Sequence, residues 1–255
     1  MSFKDKVVLI SGSGSGIGKE AAYAFLSQGA NLVVNGRREA VLAEAYKDYN
    51  GTVKFAPGDI GNPETARRMV DTAVKEFGGV DIVINNAGIF SPKPFLDETV
   101  EGLNSYIDII LKGTFYLSQA AIPEIQKRGG GAIVNIGSMW ATQAVEATPS
   151  SAYSAAKGGV HTLTRNLAIE FAKNNIRVNA VAPAVVETPV YGSFIPEDQV
   201  SDVLASFNGF HPLGRIGQPK DVVSAITYLA SDEAGWITGA ILPVDGGVTA
   251  GRNVQ

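Results

Sequence analysis

The sequence predicts an α/β protein: a doubly wound sheet of about seven parallel strands with helices on both faces. Three observations carry this expectation. Short β-branched runs alternate with longer amphipathic stretches from one end of the chain to the other. The short runs are apolar throughout, as strands covered by helices on both faces must be. No composition break, repeat or low-complexity linker divides the 255 residues, a length that one large α/β unit accommodates, so residues 1–255 read as one domain.

In chain order, a first strand over 7–10 leads into a glycine-rich string and a helix over 16–28. A second strand over 32–34 precedes a helix over 38–49, and a third over 53–55 precedes a helix over 63–77. Pro63 opens that helix in the first turn, where a missing N–H costs nothing. A fourth strand over 82–84 is followed by a long helical pattern over 100–128, and a fifth over 132–136 by a helix over 150–173. The sixth strand covers 176–181. After it, 188–217 is the least regular stretch, with Pro189, Pro196, Pro212 and several aromatics. It is too long for a plain turn and reads as a substrate lid. A helix over 219–231, opened by Pro219, and a strand over 241–244 complete the pattern.

Charge and composition narrow the function classes. Twenty-one basic against 25 acidic residues give a net charge of −4 and a pI near 5.3. No whole-chain field favours a nucleic acid or an anionic membrane, and neither partner is expected. With 45% hydrophobic and 18% charged residues the chain is too apolar for disorder. There is no cysteine, and His161 and His211 are the only histidines. Disulfides, thiol nucleophiles and thiolate- or histidine-rich metal centres are therefore excluded, and no metal is expected. The opening residues 1–6 are polar and charged, and no run approaches the about 20 apolar residues that span a bilayer. A soluble, cytoplasmic protein is the expectation.

The first strand runs into Ser11-Gly12-Ser13-Gly14-Ser15-Gly16-Ile17-Gly18, and a helix pattern opens at once. Such a turn lets backbone N–H groups approach a pyrophosphate, whose charge the helix dipole favours. A flexible Ser/Gly loop would have the same composition, but the position after the first strand and before a second βα unit favours phosphate binding. The informative glycines are Gly12, Gly16 and Gly18, a Gly-x-x-x-Gly-x-Gly spacing.

With that spacing the chain resembles the short-chain dehydrogenase/reductase family, in particular its subgroup of carbonyl reductases and oxoacyl-carrier-protein reductases. The resemblance continues through Asn85-Asn86-Ala87-Gly88, Ser138, Tyr153-Ser154-Ala155-Ala156-Lys157, Asn179-Ala180-Val181-Ala182-Pro183 and Val244-Asp245-Gly246-Gly247. It spans essentially the whole chain, and several ordered motifs are far more specific than any one. It implies a Rossmann-like fold, hydride transfer with a nicotinamide cofactor, and a homotetramer. The cofactor contacts it implies are Gly12, Ser15, Gly16, Ile17 and Gly18 in the loop, and Asp59 and Ile60 at the adenine. Asn86, Ala87 and Gly88 follow after the fourth strand, then Pro183, Val186 and Thr188 after the sixth, Thr188 at the nicotinamide carboxamide.

The end of the second strand decides which nicotinamide is preferred, because an acid there would hold the ribose hydroxyls of NAD and repel a 2′-phosphate. The segment reads Val34-Asn35-Gly36-Arg37-Arg38, with Gly36 at the position the resemblance assigns to the acid. Arg37 and Arg38 offer planar multi-donor forks to a phosphate, against the plain reading of two solvated arginines. Ser15, where many NADP-using relatives carry a base, weighs the other way. NADP (NADPH) is the expected cofactor, with NAD as the alternative.

Tyr153 and Lys157 lie four apart in a helical pattern and so share a face. Ser138 ends the fifth strand, at the carboxyl edge where open α/β sheets bind ligands. These three are the expected catalytic residues. Tyr153 would give a proton to the substrate oxygen, Ser138 would hydrogen-bond that oxygen and, by resemblance, Tyr153 and Lys157 would also contact the cofactor, Lys157 at the nicotinamide ribose. An ammonium about 4 Å from the phenol, at an effective dielectric near 20, would favour phenolate by roughly 4 kcal/mol before desolvation opposes it, and so move Tyr153 toward the working pH. Two positions depart from the family pattern. Pro183-Ala184 replaces Pro-Gly, and Ile110 replaces an asparagine whose family role is to hold a water linking the lysine to solvent.

Phe90, Met139, Trp140, Gln143, Val186, Tyr191, Phe194, Phe207 and Phe210 are expected around the substrate, about half of them packing the lid instead. Such a lining suits a hydrophobic or aryl ketone or the matching secondary alcohol. Docking of an acidic carrier protein is disfavoured, because Ile169 stands where the oxoacyl reductases have an arginine and Lys127 with Arg128 make a thin patch. His161 reads as helix packing, His211 as surface or loop packing, and Trp236 as core or subunit contact. The competing reading is a non-catalytic cofactor-binding member, encouraged by Ile110 and opposed by the intact Ser138, Tyr153 and Lys157.

Overall fold

The computed structural model describes residues 1–49 and 51–251. Its seven strands are β1 (Val7–Ile10), β2 (Asn31–Val34), β3 (Val53–Phe55), β4 (Ile82–Asn85), β5 (Gly131–Ile136), β6 (Ile176–Pro183) and β7 (Ile241–Val244). All pairs are parallel, in the order β3-β2-β1-β4-β5-β6-β7. Successive β1 side chains point to opposite faces, and both faces are apolar. Val8 and Ile10 join Phe25, Leu32, Ile84 and Ile226 on one side, while Val7 and Leu9 join Met69, Val83, Leu117 and Ile133 on the other. The strand order reverses between the neighbours β1 and β4, the chain crossing back from β3 to β4, and a crevice opens at the carboxyl ends there.

The helices are α1 (Gly16–Ser27), α2 (Glu39–Ala45), α3 (Pro63–Phe77), α4 (Val100–Tyr106), α5 (Gly113–Lys127), α6 (Ser151–Glu170), α7 (Val200–Ser206) and α8 (Pro219–Ala230). The start signals read from the sequence act as expected. Asn62 accepts a hydrogen bond from the Glu64 N–H beside Pro63, and Gln218 with Asp221 forms a reciprocal cap around Pro219. Gly78, left-handed at φ 80°, closes α3. Buried Ala152, Ala156, Val160, Thr164 and Ala168 give α6 its inward face.

Three expectations change. The helix drawn over 38–49 is the short α2, since the chain turns after Tyr46 to put that side chain in the core, its hydroxyl donating to the Ser13 carbonyl at 2.6 Å. The pattern over 100–128 is α4 and α5 joined by a π-helical stretch, Ile107–Lys112. The stretch 188–217 carries α7 and three 3₁₀ turns. Among the described residues no helix is long and apolar enough to cross a membrane.

Candidate active site

A cleft of about 560 Å³ runs along the carboxyl edge of the sheet from Arg37 to Tyr191. Its floor at one end is the loop between β1 and α1. Gly12 is left-handed at φ 66°, and a Cβ there would stand 2.7 Å from the Ala87 Cα, so a side chain is excluded both by the backbone angle and by the backbone that follows β4. Asn86 fixes that approach, its amide donating to the carbonyls of Ser11 (3.0 Å) and Gly12 (2.9 Å). Ser15 takes the N-cap position of α1, and its side chain makes no cap hydrogen bond. Ser15, Gly16 and Ile17 line the cleft, so the N-terminus of this twelve-residue helix, with its unpaired first-turn N–H groups, lies at the cleft.

Of the residues expected to hold cofactor, Gly12, Ser15, Gly16, Ile17, Arg37, Arg38, Asp59, Ile60, Asn86, Ala87, Gly88, Tyr153, Lys157, Pro183, Val186 and Thr188 all line this cleft. Gly18 does not. It lies beneath the loop, where a Cβ would come within 2.3 Å of the Asn86 amide and 2.4 Å of the Gly12 carbonyl, so its part is to let those groups pass. Asp59 lines the cleft and also organises the next turn, accepting from the Gly61 N–H at 2.9 Å.

The tips of the first three strands are tied by a buried lattice that sequence reasoning missed. Asn35 donates to the carbonyls of Ala56 (2.8 Å) and Gly58 (3.1 Å), and the Ser13 hydroxyl donates to the Asn35 carbonyl (3.0 Å). These pairings satisfy buried polar groups and hold the strand ends level, so Gly36, Arg37 and Arg38 project at the cleft mouth. Both arginines are exposed.

At the other end, β5 delivers Ser138 and α6 delivers Tyr153 and Lys157 to one wall. Ser138 and Lys157 are buried, at 3% and 4% exposure. The anticipated lowering of the Tyr153 pKa is not realised. Burial pushes the phenol up to about 12, while the Ser138 hydroxyl beside it pulls the other way. Burial also pushes the Lys157 amine down to about 7. Its Nζ lies 5.8 Å from the centre of the Tyr153 ring, over the ring face, and donates to the Ile136 carbonyl. Desolvation outweighs the pull of the amine, because burial disfavours the charged form of the lysine as well as that of the phenol.

Phe90 packs edge-on against Tyr153 at 4.9 Å between centroids and lies 5.9 Å from Trp140 and 5.8 Å from Phe194, which in turn meets Tyr191 at 6.0 Å. Phe90, Trp140, Val186 and Tyr191 line the cleft. Met139, Phe207 and Phe210 join Val185 and Leu204 in the packing of the lid, and Gln143 lies outside the cleft lining. His211 is buried in the lid, its Nδ1 hydrogen-bonded to the Phe207 carbonyl at 2.8 Å. Trp236 is fully exposed in the chain, which removes it from the core.

A phenol and a hydroxyl converging at one end of a cleft, with a glycine loop under the switch point at the other, place the molecule among the dinucleotide-binding α/β oxidoreductases. Similarity to known proteins narrows the class. A family model described as Enoyl-(Acyl carrier protein) reductase matches residues 12–249. The chain is 38% identical over 252 residues to cis-4-hydroxycyclohexanecarboxylate dehydrogenase of Sinomonas cyclohexanicum, covering 98% of each. It is 35% identical to cyclohexanol dehydrogenase of Acinetobacter sp. (strain SE19), covering 97% of this chain and 96% of that one. A solved short-chain dehydrogenase/reductase from Mycobacterium marinum superposes with a TM-score of 0.91 at 31% identity, covering 98% of both chains. The chain belongs to the short-chain dehydrogenase/reductase family and is an oxidoreductase that uses a nicotinamide cofactor.

Proposed function

We propose that this protein transfers a hydride between NADP(H) and a neutral alicyclic or aryl ketone, or the matching secondary alcohol. The observation that carries the substrate class is the wall of Phe90, Trp140 and Tyr191 facing Tyr153 and Ser138. Lys157, Arg37 and Arg38 are the only cations in the described lining, the first directed at a backbone carbonyl and the other two at the far mouth. A flat hydrophobic ring is favoured there over a carboxylate or a sugar. The cyclic alcohols in the names of the two relatives support the same class.

The cradle fits a dinucleotide on the chain's own geometry: no side chain can stand at Gly12, and the α1 N-terminus is left open. Gly12, Ser15, Gly16 and Ile17 would hold the phosphates, Asp59 and Ile60 the adenine, Asn86, Ala87 and Gly88 the central span, and Pro183, Val186 and Thr188 the nicotinamide end. Arg37 and Arg38, with no acid at Gly36, support the 2′-phosphate of NADP. The bound nicotinamide supplies or accepts the hydride. Ser138 orients the substrate oxygen, and Tyr153, neutral at pH 7, gives that oxygen its proton in the reducing direction. Lys157 stands at the inner end of the wall to restore the phenol's proton.

Carrier-protein docking gains no support, since Lys127 and Arg128 are engaged by Glu124 (2.7 Å) and Asp81 (3.0 Å). Exposed Trp236 and Ile169 support a homo-oligomer, a tetramer by family pattern, which light scattering would measure. The deciding experiment is a panel of ketones and secondary alcohols run with both nicotinamides, following absorbance of the reduced cofactor. Turnover of cyclic ketones with NADPH is expected. Tight cofactor binding with no turnover anywhere would return the protein to the non-catalytic reading.

A further inference from the structure

We infer that His161 is a positioning residue for Ser138, holding the end of β5 by a hydrogen bond from a helix one layer away. The inference rests on Ser138 serving the substrate oxygen. His161 sits one turn beyond Lys157 on α6 and is 3% exposed. Its Nε2 accepts a hydrogen bond from the Ser138 backbone N–H at 3.3 Å. Lys157, four residues earlier, donates to the carbonyl of Ile136. Two side chains on one face of α6 thus hold the backbone on either side of Gly137, and the segment they hold carries the Ser138 hydroxyl. Gly137 completes the clamp: a Cβ there would stand 2.2 Å from the His161 Nε2. The glycine and the histidine are a matched pair, because only the bare backbone lets the imidazole reach the next N–H.

The chemistry of the ring fits this task better than packing. To accept from Ser138, Nε2 must carry no proton, so the ring is neutral with its hydrogen on Nδ1. Among the described residues Nδ1 has no partner, although it is buried. A side chain that only filled space would avoid that unsatisfied nitrogen, as leucine would. The arrangement therefore keeps a polar ring at a cost to stability and gains a fixed strand end. The cations Lys157 and Arg165 on the same helix reinforce the neutral form.

The test compares His161→Leu, His161→Gln and Tyr153→Phe with the wild-type enzyme. His161→Leu is expected to lower kcat by about 10- to 100-fold, the cost of a small misplacement of a reacting group. Reduced-nicotinamide affinity, read by fluorescence, should stay within about twofold, since the phosphate cradle is untouched, whereas Tm sums two opposed changes, the Ser138 N–H left without its acceptor and the unpartnered Nδ1 removed. His161→Gln, which can present an oxygen near the place of Nε2, should recover most of the lost kcat. In the wild type, nitrogen NMR should report a neutral ring with the proton on Nδ1. Wild-type kcat in His161→Leu, with Tyr153→Phe inactive, would overturn the positioning role and leave the proposed chemistry standing, whereas an active Tyr153→Phe would overturn the chemistry itself. Should His161→Leu not fold, the NMR decides: a proton on Nε2 overturns the inference, and a proton on Nδ1 together with an active His161→Gln upholds it.

Discussion

The Nζ of Lys157 stands 5.8 Å from the centre of the Tyr153 ring, yet its hydrogen bond goes to the carbonyl oxygen of Ile136. Burial acts on both groups in the direction of neutrality, lifting the phenol to about 12 and lowering the amine to about 7. At neutral pH the wall thus holds a protonated phenol beside an amine near its midpoint. That state suits proton donation to a ketone oxygen, and it makes the lysine a burden on folding.

Lys157→Met should accordingly stabilise the ligand-free chain while abolishing turnover. An amine that titrates near 10.5 when unfolded and near 7 when folded carries its full desolvation cost below pH 7 and sheds it as pH rises toward 10.5. After subtraction of the bond to Ile136, the gain at pH 7 is about 2–3 kcal/mol. Urea unfolding at pH 6, 7 and 9 would check this. The variant's advantage should shrink as pH rises, and a lower midpoint than wild type at pH 6 would mean the folded chain solvates the ammonium well.

Tyr153→Phe keeps the ring that Phe90 and Tyr106 pack against and removes only the hydroxyl. Cofactor affinity should be retained while turnover falls at least about 100-fold, the lower end for general acid catalysis. Steady-state rates beside a fluorescence titration separate the two effects. Near-normal rates would show that the proton comes from another group.

For Arg37→Ala, the absence of an acid at Gly36 sets the expectation. Loss of a charge-assisted hydrogen bond to a 2′-phosphate should weaken NADPH by about 1–3 kcal/mol and leave NADH nearly unchanged. Equal losses for the two nucleotides would assign Arg37 to the shared part of the cofactor and make NAD an equal candidate.

Much of this was legible along the chain because the signals are local. The glycine string, the Pro63 and Pro219 helix starts and the Tyr153–Lys157 spacing need only neighbours in sequence. What stayed hidden depends on three-dimensional neighbours. Gly18 is spacious in sequence but faces Asn86, 68 positions away, and His161 reads as packing until β5 is laid beside α6. The π-helical stretch escapes a search for 3.6-residue periodicity, which sees one long helix from 100 to 128. The sign of the Tyr153 shift was missed for a different reason. Spacing gives the proximity of an ammonium but not its burial.

His161 predicts an acid-side loss of stability. Burial, helped by Lys157 and Arg165, holds its pKa at about 4 against 6.5 when unfolded. The unfolded chain binds a proton below 6.5 that the folded chain refuses until about 4, so stability falls as pH drops through that window, by about 3 kcal/mol in total. The unfolding free energy of wild type should decline relative to His161→Gln between pH 7 and 4. Parallel pH curves for the two proteins would show that the ring is protonated in the fold.

Ile110 bears on how the phenol is reloaded. It is 1% exposed in the π-helical stretch, among Tyr106, Ala152, Ala156 and Val160. Its Cγ1 and the Lys157 Nζ flank the same side of Gly88, where a Cβ would lie 3.9 and 4.0 Å from them. The Ile110 side chain and the amine thus both approach Gly88, with Ile110 standing where the family pattern has an asparagine. Ile110→Asn buries an amide in an apolar cluster and should cost about 1–3 kcal/mol of stability, more than helix propensity alone would take. A polar group there also relieves the desolvation of Lys157, so the amine's pKa moves up from about 7 and its proton is more available at pH 7. If reloading of Tyr153 limits the rate, turnover rises modestly and the solvent isotope effect falls, because the slow proton step has been eased. Rates in light and heavy water for both proteins test this. An unchanged isotope effect with unchanged turnover would mean that protons reach Lys157 by a route Ile110 does not border, from the lid side of the cleft.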